Sequence, residues 1–165
     1  MLDSIQRNVT WRAIPIAGVV AGTGFLLATL LLTPILLDIK GIVFLRYSAG
    51  LLLGSDSVTD TSNSVLVVGL LVHYALSMVA ALVIAIVVHR WGLLVGVVGG
   101  ALLGAAIYAI NFFTITTFVE WFYAIHSDAI LISHILFGAV AGGVYELFDH
   151  YDRPMFPAAE APAER

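Results

Sequence analysis

Four runs of the chain, about residues 13–37, 65–88, 92–113 and 129–148, contain no Lys, Arg or Asp and a single Glu, at position 146. Nothing else in the sequence narrows the fold as much. A helix rises about 1.5 Å per residue, so roughly 20 apolar residues cross a ~30 Å hydrocarbon core, and each run reaches that length. Composition agrees, since 61% of residues are hydrophobic and 11% charged, against roughly 45–50% and about 25% in a soluble domain. The runs are continuously apolar, whereas the strands of a membrane barrel alternate in segments of about ten residues. The expectation is therefore an all-α bundle of four transmembrane helices, forming one domain over residues 1–150. The first run is too long for a signal-peptide core and lacks a small-residue cleavage site before the next polar segment, so it reads as a retained helix.

Basic residues set an expected orientation. Arg7, Arg12, Arg90, Arg153 and Arg165 flank one side of these runs, and only Lys40 and Arg46 the other. An excess of Lys and Arg marks cytoplasmic segments, which predicts both termini on the cytoplasmic side of a bacterial inner membrane. Residues 151–165, rich in Pro and Ala, read as a flexible cytoplasmic tail. A formal charge of −4 is too small to suggest a nucleic-acid partner, and the absence of cysteine excludes disulfides, thiolate metal sites and covalently attached haem.

Two connections fall on the expected external side. In "DIKGIVFLRYSAGLLLGSDSVTDTSNS" the apolar part from about Gly41 to Leu53 is too short to span. It is expected to lie at the interface or to re-enter the bilayer, with Arg46 snorkelling outward. In "FVEWFYAIHSD", Trp121, Phe122 and Tyr123 form an aromatic belt, with Trp11 and Trp91 on the opposite face.

The spans suggest a 2+2 internal repeat. Gly18 and Gly22 of the first match Gly96 and Gly100 of the third, and Thr33 matches Asn111. His73 and His89 then match His134 and His150, both pairs separated by 16 residues. Gly96, Gly100 and Gly104, like Gly138 and Gly142, recur at every fourth position and form small-residue faces for close helix packing. His73, Ser77 and Ala80 share one helix face, as do His134, Gly138, Ala141 and Tyr145, so the polar groups are expected to converge inward. His73 should lie about 12 Å, and His134 about 8 Å, below the external surface.

An ionisable ring at that depth is costly unless paired, and so marks a candidate site. His73 and His134, near Asn111 and Thr33, admit several readings. The pair could ligate a haem b through facing imidazoles, bind a quinone or exchange protons, or bond neighbouring helices with no further role. No ligating metal set is expected. Glu146, with Asp149, Asp152, His89 and His150, could hold a cation or be solvated in the headgroup region. Ser127 or Asp128 could cap the last helix beside His126. No Walker loop, dinucleotide fingerprint, HExxH or GxSxG motif is present, so no constellation for soluble chemistry is expected.

The order of an early Gly-rich helix, a "VHYALS" histidine, "HRWG", "YAINFF", "EWFYAIHSD" and "SHILFGAVAGGVYE" resembles a group of small four-helix bacterial inner-membrane proteins. Some of these carry the label sodium:proline symporter. The resemblance covers roughly residues 11–148 and implies the fold; a sodium-coupled symporter of that class is much larger, and this chain lacks its broken-helix core. Function is then expected from three classes. The first is a non-catalytic membrane subunit of a larger assembly, for instance a respiratory or electron-transferring one, docking other membrane subunits through helix faces and segment 38–64. The second is a haem- or quinone-binding protein, and the third a small transporter or channel. A homo-oligomer in the lipid bilayer is compatible with each.

Overall fold

Runs of Leu, Val, Ala and Gly without charge can satisfy their backbone polar groups in hydrocarbon only as helices or closed barrels. The computed structural model, which describes residues 9–89 and 91–152, with the backbone alone for 150–152, shows helices. They are α1 (Ala13–Leu37), α2 (Val43–Leu53), α3 (Asn63–Val88), α4 (Leu93–Phe113) and α5 (Asp128–Asp152), with short 3-10 turns at Ser55–Val58, Ile115–Thr117 and Glu120–Ile125. No strand occurs among the described residues. Helices α1, α3, α4 and α5 are long and apolar enough to cross a membrane. With 11 residues, α2 extends only about 16 Å.

The ends follow local chemistry. Asp38 closes α1 in the left-handed region, φ 55°, and its N–H donates to the Pro34 carbonyl. Gly92, at φ 86°, turns the chain into α4, a conformation that side chains beyond glycine rarely adopt. Ser127 caps α5 by accepting the Ile130 N–H. Helix α5 continues to Asp152, four residues past the boundary expected at 148, because no Gly or Pro interrupts "FDHYD". Before α3, Asp60 accepts the Ser62 backbone N–H at 2.7 Å, which with the Ser62 hydroxyl holds its carboxyl below the usual range. Arg7, Arg90, Arg153, Arg165, the His150 side chain and the tail from residue 153 lie outside the described residues.

Each spanning helix buries a stripe of every fourth residue. On α1 it runs Ala13, Ala17, Ala21, Phe25, Thr29, Thr33. On α3 it runs Val65, Gly69, His73, Ser77, Ala81, Ala85, and on α4 Gly96, Gly100, Gly104, Tyr108, Phe112. The seams these stripes make are unequal. Helix α5 is central, packing extensively on both α4 and α1, while α3 meets α1 over a shorter length and only brushes α4. Between α4 and α5 the backbones touch. A Cβ added to Gly100 would overlap the Gly138 carbonyl, and one on Gly104 the His134 carbonyl. In lipid, where apolar burial drives little association, such close approach is what holds helices together.

Helix α2 is laid back onto the bundle. Pro34 has no N–H to give the Leu30 carbonyl, and Gly41 packs against that bared turn of α1. Gly69 of α3 lies under the Leu45 carbonyl with no room for a side chain, and Trp121 covers Gly50. Phe44 thereby reaches Phe25 and His73 in the interior, with ring centroids 5.1 and 5.7 Å apart.

Candidate functional site

Where α3 and α4 part, a cleft of about 340 Å³ opens. Its walls come from all five helices and from Phe122, and are largely apolar, with the rings of Phe25, Phe44, Phe112 and Phe137 prominent. Polar groups enter it at five places: Ser48, His73, Ser77, Asn111 and His134. Its rim is formed by Leu76, Val79, Val83 and Ile110, which are between 48% and 60% exposed on the belt of the bundle. The cleft therefore faces sideways, toward the zone that hydrocarbon occupies around a four-helix membrane bundle.

Both histidines are buried, 6% and 8% exposed, and both are tied to backbone. The His73 Nε2 lies 2.9 Å from the Gly22 carbonyl of α1. The His134 Nδ1 lies 2.8 Å from the Ile130 carbonyl, and its Nε2 3.3 Å from Asn111 Nδ2. A carbonyl oxygen can only accept, so His73 carries its proton on Nε2 and His134 on Nδ1. The His134 Nε2 is then an acceptor, which fixes Asn111 with its amide nitrogen donating and its Oδ1 turned away. One turn below on α1, the Thr29 hydroxyl donates to Ser133 Oγ at 3.0 Å, and Ser133 donates to the Ala129 carbonyl.

Phe25 sits between these groups in contact terms. Its ring centroid is 5.3 Å from His73 and 4.9 Å from His134. Haem ligation needs two free ring nitrogens facing one plane. Here the same phenyl contacts both imidazoles, and both nitrogens of His134 are engaged, so the pair as arranged does not fit a bis-histidine haem.

Of the four residues singled out in the sequence, His73, His134 and Asn111 share the cleft, and Thr33 does not. Thr33 lines a separate hollow of about 150 Å³ beside Val43, Tyr47 and His126, and its buried hydroxyl has no hydrogen-bond partner among the described residues. Thr29, one turn away, makes the cross-helix bond that Thr33 would have supplied. His126 stacks on Tyr123 at 4.8 Å and 9°.

At the other end of the bundle, Glu146 and Asp149 are buried, 4% and 2% exposed, rather than solvated. Glu146 accepts the Gly92 N–H at 3.1 Å, at the positive end of α4. Asp149 accepts the Thr10 hydroxyl at 2.6 Å, and Tyr145 accepts the Thr10 N–H. No cluster of three His, Cys, Asp or Glu side chains able to hold a metal occurs among the described residues.

Phe25, Phe44 and Ser48 escaped the sequence reading. Phe25 could have been found, because it continues the stripe of Ala13, Ala17 and Ala21 at fourfold spacing. Phe44 and Ser48 could not, since only the fold-back of α2 brings them inward. The chain was also compared with protein families, with curated proteins and with solved structures, and none of the three comparisons finds a match.

Proposed function

We propose that this chain is a non-catalytic integral membrane subunit that holds a small lipid-soluble ligand in the cleft between α3 and α4. The observation that carries the reading is the combination of a ring-lined cavity with a lateral rim and a small polar floor. Ligand sites are typically concave, about 300–1,000 Å³, mostly apolar, and furnished with a few placed polar groups. The cleft meets that description, and its mouth lies on the apolar belt rather than at a polar end. A quinone-like or other ring-bearing amphiphile suits such a site, and the engaged nitrogens of His134 argue against haem.

The proposed topology keeps both termini cytoplasmic in a bacterial inner membrane, with 38–64 and 114–128 external, on the strength of the Lys and Arg asymmetry. On this reading α2 re-enters from the outer side, and the fold-back of Gly41 onto Leu30 supports that. The 2+2 plan is supported by matched pairs: Gly22 packs on Ser77 as Gly100 packs on Gly138, and each partner lies four residues after its histidine. Segment 38–64, the insertion that breaks this symmetry, is the proposed docking element for a larger assembly.

Labelling with a membrane-dissolved aryl diazirine in phosphatidylcholine nanodiscs tests the ligand reading. Label should concentrate on cleft residues such as Ala80 and Ile107, and Ala80→Phe, which fills the space, should remove it. Uniform labelling around the belt in both proteins would overturn the proposal.

A further inference from the structure

We infer that the cleft selects a ligand with a hydroxyl on its ring, a phenol or quinol bearing an alkyl chain, over the same skeleton with a carbonyl or ether. This deepens the binding role proposed above and rests on it. The argument is an inventory of unused hydrogen-bonding capacity on the cleft floor. His73 donates from Nε2 to Gly22, so its Nδ1 is an acceptor with no partner among the described residues. Asn111 donates one amide hydrogen to His134, leaving Oδ1 as an acceptor and one N–H as a donor. Ser77 spends its hydrogen on the His73 carbonyl, and Ser48 spends its own on the Phe44 carbonyl. Each serine oxygen then offers lone pairs only.

The floor accordingly presents acceptors on four residues and one spare N–H, on Asn111. A ligand oxygen that can only accept satisfies that N–H and leaves the acceptors facing apolar carbon, where an unmet polar group is expensive. A hydroxyl both donates to His73 Nδ1 or Asn111 Oδ1 and accepts the Asn111 N–H. The surrounding rings of Phe25, Phe44 and Phe112 offer edges and faces to an aromatic headgroup. An alkyl chain leaves through the rim formed by Val83 and Ile110.

The orientation of this floor is set by the backbone. Two backbone carbonyls, of Gly22 and Ile130, dictate which nitrogen of each imidazole is protonated, and His134 in turn dictates the pose of Asn111. The recognition is therefore built in before a ligand arrives, which lowers the ordering cost of binding.

The test uses the full chain in phosphatidylcholine nanodiscs, the aryl diazirine above as reporter, and a para-decylphenol with its methyl ether as competitors. The phenol should displace the reporter at about one tenth the concentration of the ether, the factor expected for one well-placed hydrogen bond. Asn111→Leu should bring that ratio close to one, and His73→Phe should reduce it. Nitrogen-15 NMR of the wild type, which does not depend on either variant folding, should show the His73 Nδ1 resonance moving with phenol and not with ether. Displacement by both compounds at equal concentration, with Nδ1 unmoved, overturns the hydroxyl preference while the ligand-binding role survives. Displacement by neither, together with labelling indifferent to Ala80→Phe, removes the ligand-binding role itself. Labelling that falls as the protein-to-lipid ratio rises, irrespective of competitor, identifies a second copy as the occupant and overturns both.

Discussion

The α4–α5 seam and the α3–α4 seam share one helix, α4, yet one is closed and the other open. On the closed side Gly96, Gly100 and Gly104 meet Gly138 and Gly142 backbone to backbone. On the open side Leu76, Val79, Val83, Ile107 and Ile110 line the cleft with branched side chains instead of glycine. Helix contact in lipid is decided by how closely backbones can approach, not by how apolar the faces are. The difference teaches that glycine placement can close one seam while its neighbour stays open.

The sharpest way to break this contrast is to place a side chain in the closed seam. Gly100→Leu should destabilise the bundle by about 3 kcal/mol, as overpacking of a tight interior does, read as a fall in the midpoint of denaturant unfolding in bicelles. An unchanged midpoint would mean that the seam does not carry the fold. Removing the polar link across the same pair of helices is expected to matter less. Asn111→Leu gives up the bond to His134 at a cost of about 1 kcal/mol, measured in the same assay, with a larger loss indicating that Asn111 also braces α4 by another route.

On the open side the expected effects on stability are smaller and those on binding larger. Ala80→Phe fills existing space, so its unfolding midpoint should move by less than about 1 kcal/mol, while diazirine labelling of the cleft disappears. A large destabilisation would show that the cleft is less roomy than its walls suggest. Gly24 faces neither seam, and a Cβ there meets no atom within 4 Å. Gly24→Ala should be neutral or stabilising by up to about 0.5 kcal/mol, because alanine holds helical backbone better than glycine. Destabilisation there would reveal a contact made only in a larger assembly.

Much of this was legible beforehand. Span count and positions followed from charge-free length, and the glycine faces from fourfold spacing, because both depend on helix geometry that every residue shares. His73, His134 and Asn111 were read as converging, since each lies on the small-residue face of its helix. Thr33 was misplaced because a face predicts direction but not which turn meets a partner; the crossing of α1 and α5 puts Thr29, not Thr33, opposite Ser133. Burial of Glu146 and Asp149 was hidden by the sequence distance to the groups that bond them. Their partners, Gly92 and Thr10, lie 54 and 139 residues away. The open seam was invisible for a similar reason, as it arises from what α3 and α4 fail to do together.

The sideways rim of the cleft carries a consequence for how any affinity should be expressed. A molecule entering from hydrocarbon is already dissolved in the bilayer, so its concentration there, and not in water, sets occupancy. Each methylene added to its chain improves transfer from water by about 0.8 kcal/mol. Two homologues differing by two methylenes would then appear about fifteenfold apart in aqueous units even if the cleft treats them identically. Expressed as mole fraction in lipid, that apparent preference would vanish, leaving only the discrimination proposed for His73, Asn111 and the rings around them.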